Sequence, residues 1–167
     1  AFNTANIKLA NGSELVVNST GGAISALNID GTSSEHVTFN ANGGAGPKTA
    51  AVGAIGTGAA NGIHSAGLTG SGGVTLNGNI TTDNTAGNSV TVTGPATLGT
   101  TLTIDTSGNT GGITFSGVAS TIDAAVAQGL TLTSGAGNVL LQGTIGGATA
   151  LSALTVNGAA GAGTITL

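Results

Sequence analysis

The sequence predicts an all-β chain, a right-handed parallel β-helix (β-solenoid) of short strands wound in coils of roughly 26 residues. Three observations carry this expectation. Ile113, Val139 and Ile165 recur at two equal steps of 26 residues; Phe115, Leu141 and Leu167 keep the same register, and Gly117 matches Gly143. A five-residue unit (apolar, any, apolar, polar, Gly) recurs as LNIDG from Leu27, VTLNG from Val74, VTVTG from Val90, ITFSG from Ile113, VLLQG from Val139 and LTVNG from Leu154. Its alternating part spans only three or four residues. Sandwich and barrel strands run to about five or six, whereas a coil one strand thick stacks on the next at about 4.8 Å and needs no more.

Residues 1–40 are read as N-terminal coils, beginning near Ile7, because IKLANG, ELVVNS, LNIDG and VTFNANG use the same vocabulary; their register is left open. Residues 41–73 alternate weakly and are rich in Gly and Ala, which predicts a loop leaving the coil or one degenerate coil. Residues 74–167 are expected to form regular coils, with looser units LTIDTSG and LTLTSG from Leu102 and Leu130. Within each unit the period of two turns Ile, Leu, Val or Phe inward and Thr outward, and Asn-Gly, Asp-Gly or Ser-Gly supplies the turn. From Val74 to Ile113 the step is 39 residues, so either one face is duplicated or coil lengths vary. The final ITL reads as the first strand of a further coil, leaving the C-terminal end open, with no Lys-rich or helical cap.

Composition limits the chemistry. Charged residues are 5% of the 167, and the aromatics are three Phe. A mean hydropathy of +0.38 argues against disorder, which goes with low hydrophobicity and high net charge. No apolar run reaches the roughly 18–20 residues of a membrane span. Two Lys, no Arg and a net charge of −4 exclude nucleic acid and anionic lipid surfaces as partners. The absence of Cys removes disulfides and thiolate catalysis, and suits a chain exported unfolded. The absence of Met suggests a processed protein or an excised segment.

The phrases VLLQGTIGGATALSALTVNG and GAGTITL resemble the repeats of filamentous-haemagglutinin-like large exoproteins, the long bacterial surface and secreted adhesins; autotransporter passengers are similar. The resemblance covers residues 74–167 best and is one of repeat style. It implies a parallel β-helical shaft and an extracellular or bacterial cell-surface location. An Asn-Pro-Asn type motif, frequent in family members secreted by the two-partner route, does not occur here, nor does Arg-Gly-Asp, so no host-binding role is carried onto a residue.

Parallel β-helices also host polysaccharide lyases and hydrolases, which need clustered carboxylates or a base. The acidic residues are Glu14, Asp30, Glu35, Asp83, Asp105 and Asp123, and most adjoin turn signals, which predicts turn or surface roles. Glu35, His36 and His64 are the one plausible acid–base or metal grouping, weakened because adjacent strand residues point to opposite faces; Asp83 joins them only if the four converge in one groove. The imidazoles are otherwise expected to be solvent-exposed. GGAGPKT, residues 43–49, falls short of a phosphate-binding loop because Pro47 stands where Gly is needed and removes an N–H. Sequons at Asn11, Asn18 and Asn79 are too short a pattern to carry weight. Thr75, Thr91, Thr103, Thr114, Thr131, Thr155 and Thr166 read as one outward row; Leu140 interrupts it, so exposed-strand preference explains it better than ice binding.

The expectation is therefore a non-enzymatic shaft segment of an extracellular adhesin or exoprotein, with no catalytic, cofactor or metal residues. The competing reading is a self-assembling surface-layer or extracellular fibre subunit. A polysaccharide-active enzyme and an ice-binding solenoid rank behind both. Expected partners are flanking repeats of the same parent chain, copies of itself, or surface and matrix polysaccharide.

Overall fold

The computed structural model describes residues 6–57, 62–117, 119–158 and 163–167. Among them there is no helix, so none long and apolar enough to cross a membrane. Nineteen short strands among the described residues follow one another around three faces. The first coil holds β1 (Ile7–Lys8), β2 (Glu14–Asn18) and β3 (Ile24–Ala26); the second, β4 (Ile29–Asp30), β5 (His36–Ala41) and β6 (Thr49–Val52). The third passes Ile55 and continues as β7 (Ser65–Gly70) and β8 (Gly73–Leu76). The fourth is β9 (Ile80–Thr81), β10 (Ser89–Thr93) and β11 (Ala96–Leu98). Then come β12 (Leu102–Thr106), β13 (Gly112–Ser116) and β14 (Thr121–Ala124), followed by β15 (Gly129–Ser134), β16 (Val139–Leu141) and β17 (Thr144–Ile145). A partial turn closes with β18 (Ala153–Gly158) and β19 (Ile165–Thr166).

Every strand pairing is parallel, and each strand pairs with its equivalent in the coil before and after. The first sheet runs β2-β5-β7-β10-β13-β16-β19 and the second β3-β6-β8-β11-β14-β17. The third is β9-β12-β15-β18, continued toward β1-β4 by single bridges from Ile29 to Ile55 and Ile55 to Ile80. The result is a β-solenoid of about six turns, with coils of about 24 residues.

That mean replaces the expected 26. The 26-residue step holds between Ile113, Val139 and Ile165, but Glu14 to His36 is 22 residues, His36 to Ser65 is 29 and Val90 to Ile113 is 23. Coil length varies because the corners carry different numbers of residues while the strands stay in register. The 39-residue step from Val74 to Ile113 is resolved by the faces: Val74 lies in the second sheet and Ile113 in the first. One sequence unit thus serves three different faces. Residues 41–73 contain β6, β7 and the buried Ile55 and Ile63, all paired coil to coil.

The core is a set of stacked columns. Val37, Ala66, Val90, Ile113 and Val139 make one on the first sheet; Phe39, Leu68, Val92, Phe115 and Leu141 make its neighbour. The third face carries Ile7, Ile29, Ile55, Ile80, Ile104, Leu132 and Val156 in register. Stacking like on like lets each β-branched side chain meet the next at the strand spacing of about 4.8 Å, and removes it from water on all sides. Ile113, Phe115, Val139 and Leu141 are buried in these columns, as the alternation predicts. Ile165 sits on Val139 in the last rung and is 47% exposed.

The outward threonines do not form one row. Thr91, Thr114 and Thr166 lie on the first sheet, Thr75 on the second, and Thr103, Thr131 and Thr155 on the third. No more than three of them stack consecutively, since Leu140 stands between Thr114 and Thr166.

Candidate functional site

The ionisable residues that the sequence singles out meet at one corner, where the chain enters the first sheet in the second to fourth coils. Register sets this up. His36 opens β5 and Ser65 opens β7, and the two are directly paired although 29 residues apart. His64 precedes Ser65, with both backbone N–H groups donating to the Glu35 carbonyl, at 2.7 and 3.3 Å. Asp83 lies at the same corner one coil later, where its Oδ2 accepts the Ser34 N–H at 2.9 Å.

Period-two alternation sends Glu35 inward and His36 outward: Glu35 is fully buried and His36 exposed. Glu35 and Asp83 are buried, which corrects the surface half of the expectation, while their bonds to Thr32, Ser33 and Thr85 are those of turn carboxylates. Glu35 fits inside because residue 31 is Gly; a Cβ there would lie 2.3 Å from Oε2. Its Oε1 accepts from Thr32 Oγ1 at 2.7 Å and Ser33 N–H at 3.1 Å, while Oε2 is buried without a partner among the described residues. Burial pushes this carboxyl up, but the bonds from Thr32 and Ser33 more than offset that and hold it below its ordinary range.

Asp83 is similarly placed. Burial raises it, and hydrogen bonds from Thr85 and Ser34, with His64 beside it, bring it below the ordinary Asp range. Its Oδ1 accepts both the N–H and the Oγ1 hydroxyl of Thr85, at 3.0 and 2.6 Å, an Asx turn that fixes Thr85. The corner is pinned from behind by buried Asn88, whose Nδ2 donates to Thr82 Oγ1, to the Asp83 carbonyl and, in the next coil, to the Thr106 carbonyl.

His64 Nδ1 lies 2.6 Å from Thr85 Oγ1 and 3.4 Å from Asp83 Oδ1. The Thr85 hydroxyl has one proton, and the ionised carboxylate takes it. His64 Nδ1 must therefore be the donor to Thr85, which leaves the lone pair of neutral His64 on Nε2. His36 Nδ1 lies 2.7 Å from Ser65 Oγ. The two rings pack edge to face, centroids 5.0 Å apart and planes at 75°. Ser65 with His36 is half of a nucleophilic triad, but the carboxylate relay ends on the other imidazole. No carboxylate hydrogen-bonds His36 among the described residues, so the arrangement is a held imidazole pair rather than a triad. Nor do the described residues gather three or more His, Cys, Asp or Glu as a metal cage.

The remaining acidic groups lie elsewhere. Asp105 accepts from Ser107 N–H and Oγ within its own turn, and Asp123 Oδ1 accepts the Ala148 and Thr149 N–H groups at 2.9 and 3.4 Å. In the GGAGPKT segment the Lys48 ammonium is folded back onto the Ala45 and Gly46 carbonyls, away from any phosphate-like cradle. Sequence reasoning missed a cleft of about 550 Å³ at the opposite end of the first sheet, lined by Asn42, Thr69, Gly70, Ser71, Thr93, Gly94, Gly117 and Ala119. It follows the glycines that end the repeated unit, where the absence of side chains leaves a groove; the signal was the recurring Gly itself.

Fold and corner together define a β-solenoid with a small polar cluster set into one edge. Comparisons with protein-family models, with curated proteins and with solved structures found no match.

Proposed function

We propose that the chain is a rod-forming segment of an extracellular bacterial adhesin or large exoprotein of the filamentous-haemagglutinin-like kind, acting without enzymatic turnover. The observation that carries this reading is the continuity of the interior columns: a seven-rung stack from Ile7 to Val156 passes through every coil with no break. Such a stack converts chain length into axial length at about 4.8 Å per coil, so six coils give about 30 Å. Flanking coils of the same kind extend the rod. A charge-poor outer surface of Thr, Ser and Asn is compatible with lying against surface or matrix polysaccharide. An antibody raised against the chain should label intact producing cells or their culture medium; labelling only after lysis would remove the extracellular reading.

A second reading is a self-assembling surface-layer or fibre subunit. In the last rungs Leu154, Ile165 and Leu167 are 36, 47 and 78% exposed, although Leu130 and Val139 beneath them are buried. A further coil, of the same chain in a shaft or of a second copy in a fibre, would cover these side chains. Sedimentation of the isolated chain separates the two: concentration-dependent linear growth supports the fibre, and a monomer across the range supports the shaft.

A further inference from the structure

We infer that Asn77 is a modification site, the Asn-Gly pair at which the folded chain loses a side-chain amide by cyclisation and becomes aspartate or isoaspartate. The reaction needs only water. The Gly78 backbone nitrogen attacks Asn77 Cγ, the bond from Cγ to the side-chain nitrogen breaks, and ammonia leaves with the proton that the backbone nitrogen gives up. Water then opens the five-membered imide at one of its two carbonyls. Opening at the side-chain carbonyl gives aspartate; opening at the main-chain carbonyl gives isoaspartate, with the chain running through Cβ. The covalent chain itself keeps the reacting atoms together, and a following residue without a Cβ leaves the approach unhindered. Five Asn-Gly pairs occur in the sequence, at Asn11, Asn42, Asn61, Asn77 and Asn157; Asn61 lies outside the described residues.

The fold separates the four described pairs. Gly12 N–H donates to the Ser33 carbonyl at 3.4 Å, and Asn11 Oδ1 accepts from Ser33 Oγ at 3.3 Å. Gly43 N–H donates to the Ser19 carbonyl at 3.3 Å. Gly158 lies inside β18, in register with Ser134. The corner between β8 and β9 differs. Neither the Gly78 N–H nor the Asn77 side-chain amide has a hydrogen-bond partner among the described residues. Asn77 is exposed and Gly78 half-buried, and only the Asn77 N–H is tied down, to the Val52 carbonyl at 2.8 Å. Attacking nitrogen and attacked amide are thus both free in the folded state at this pair. The other three must first break a hydrogen bond or a strand pairing, which costs a local opening. The product carboxylate lies against Gly99 of the next coil, as the Asn77 amide does, and makes the net charge one unit more negative than −4. In isoaspartate the added main-chain atom falls between β8 and β9, outside both strands.

The test is a timed incubation of the whole chain at mildly alkaline pH, which favours attack by the backbone nitrogen. Peptide mapping by mass spectrometry follows each amide-to-acid conversion, and an isoaspartyl methyltransferase scores the isoaspartate. In the folded chain Asn77 should convert about 10-fold or more faster than Asn11, Asn42 and Asn157. The same incubation in concentrated urea removes the protection, and the four should then convert at rates within about 3-fold of one another. Asn77 left intact in the folded chain while it converts in urea would overturn the proposal. So would Asn11, Asn42 or Asn157 keeping pace with it in the folded chain. An equal preference for Asn77 in urea would contradict it too, since the local sequence and not the fold would then select the site.

Discussion

Ile104 lies deep in the third-face column, with Ile80 on one side and Leu132 on the other, and it is fully buried. Ile104→Ala removes a rung from a stack whose neighbours are held by their own strand pairing and cannot collapse to fill the gap. Urea unfolding should show a loss of about 2–5 kcal/mol. Val126→Ala, at a side chain 62% exposed, should stay within about 0.5 kcal/mol of the parent. Ile55→Ala should resemble Ile104→Ala if residues 41–73 contribute a true rung. Charge acts at this scale too. Backbone N–H donors, Ala148 first, hold the Asp123 carboxyl below its ordinary range despite partial burial. A depressed folded pKa means stability present above the ordinary carboxylate range and lost as pH falls through the folded value. The melting temperature should therefore drop on acidification below about pH 4, and Asp123→Ala should flatten part of that slope. Inward residues were legible wherever Ile, Leu, Val or Phe alternated with Thr. The buried carboxylates were not, because Glu35 and Asp83 are accommodated by a neighbouring Gly and by backbone donors that no local pattern announces.

At the scale of the element, the recurring Gly is a corner device. Where the first sheet ends, Gly94 has a φ of +108°, and a Cβ on it would stand 2.2 Å from the Gly70 carbonyl oxygen of the preceding coil. Gly12, at φ +72°, has nothing within 4 Å of the same point. Alanine at either site carries the left-handed penalty of about 1–2 kcal/mol. Only Gly94→Ala adds a backbone collision, so thermal melts should show the larger loss there. The unit that ends in this Gly was plain in the sequence, yet its face was not. VTLNG builds the second sheet, ITFSG the first and LTVNG the third, since all three demand the same alternation and the same turn. Register between coils rests on corner lengths, and corners of Gly, Ala, Ser and Asn carry no periodic mark. For the same reason the imidazole pair was hidden: His36 and Ser65 are neighbours through a 29-residue coil, not through any spacing seen along the chain.

On the scale of the whole molecule, three faces of parallel strands enclose one narrow interior, built by a repeated unit that uses few charged residues. The architecture was legible because it repeats; role was not, because the repeated unit specifies stacking and turns and marks no residue for a task. The central claim is that chain length is converted into axial length, coil by coil, and it can be measured directly. Residues 65–111 span two coils between the equivalent positions Ser65, Ser89 and Gly112. A second copy of this segment inserted after Gly111 keeps every column in register. Small-angle X-ray scattering should then show the longest dimension growing by about 10 Å with the cross-sectional radius unchanged. A thicker particle of the same length, or loss of cooperative unfolding, would contradict the account.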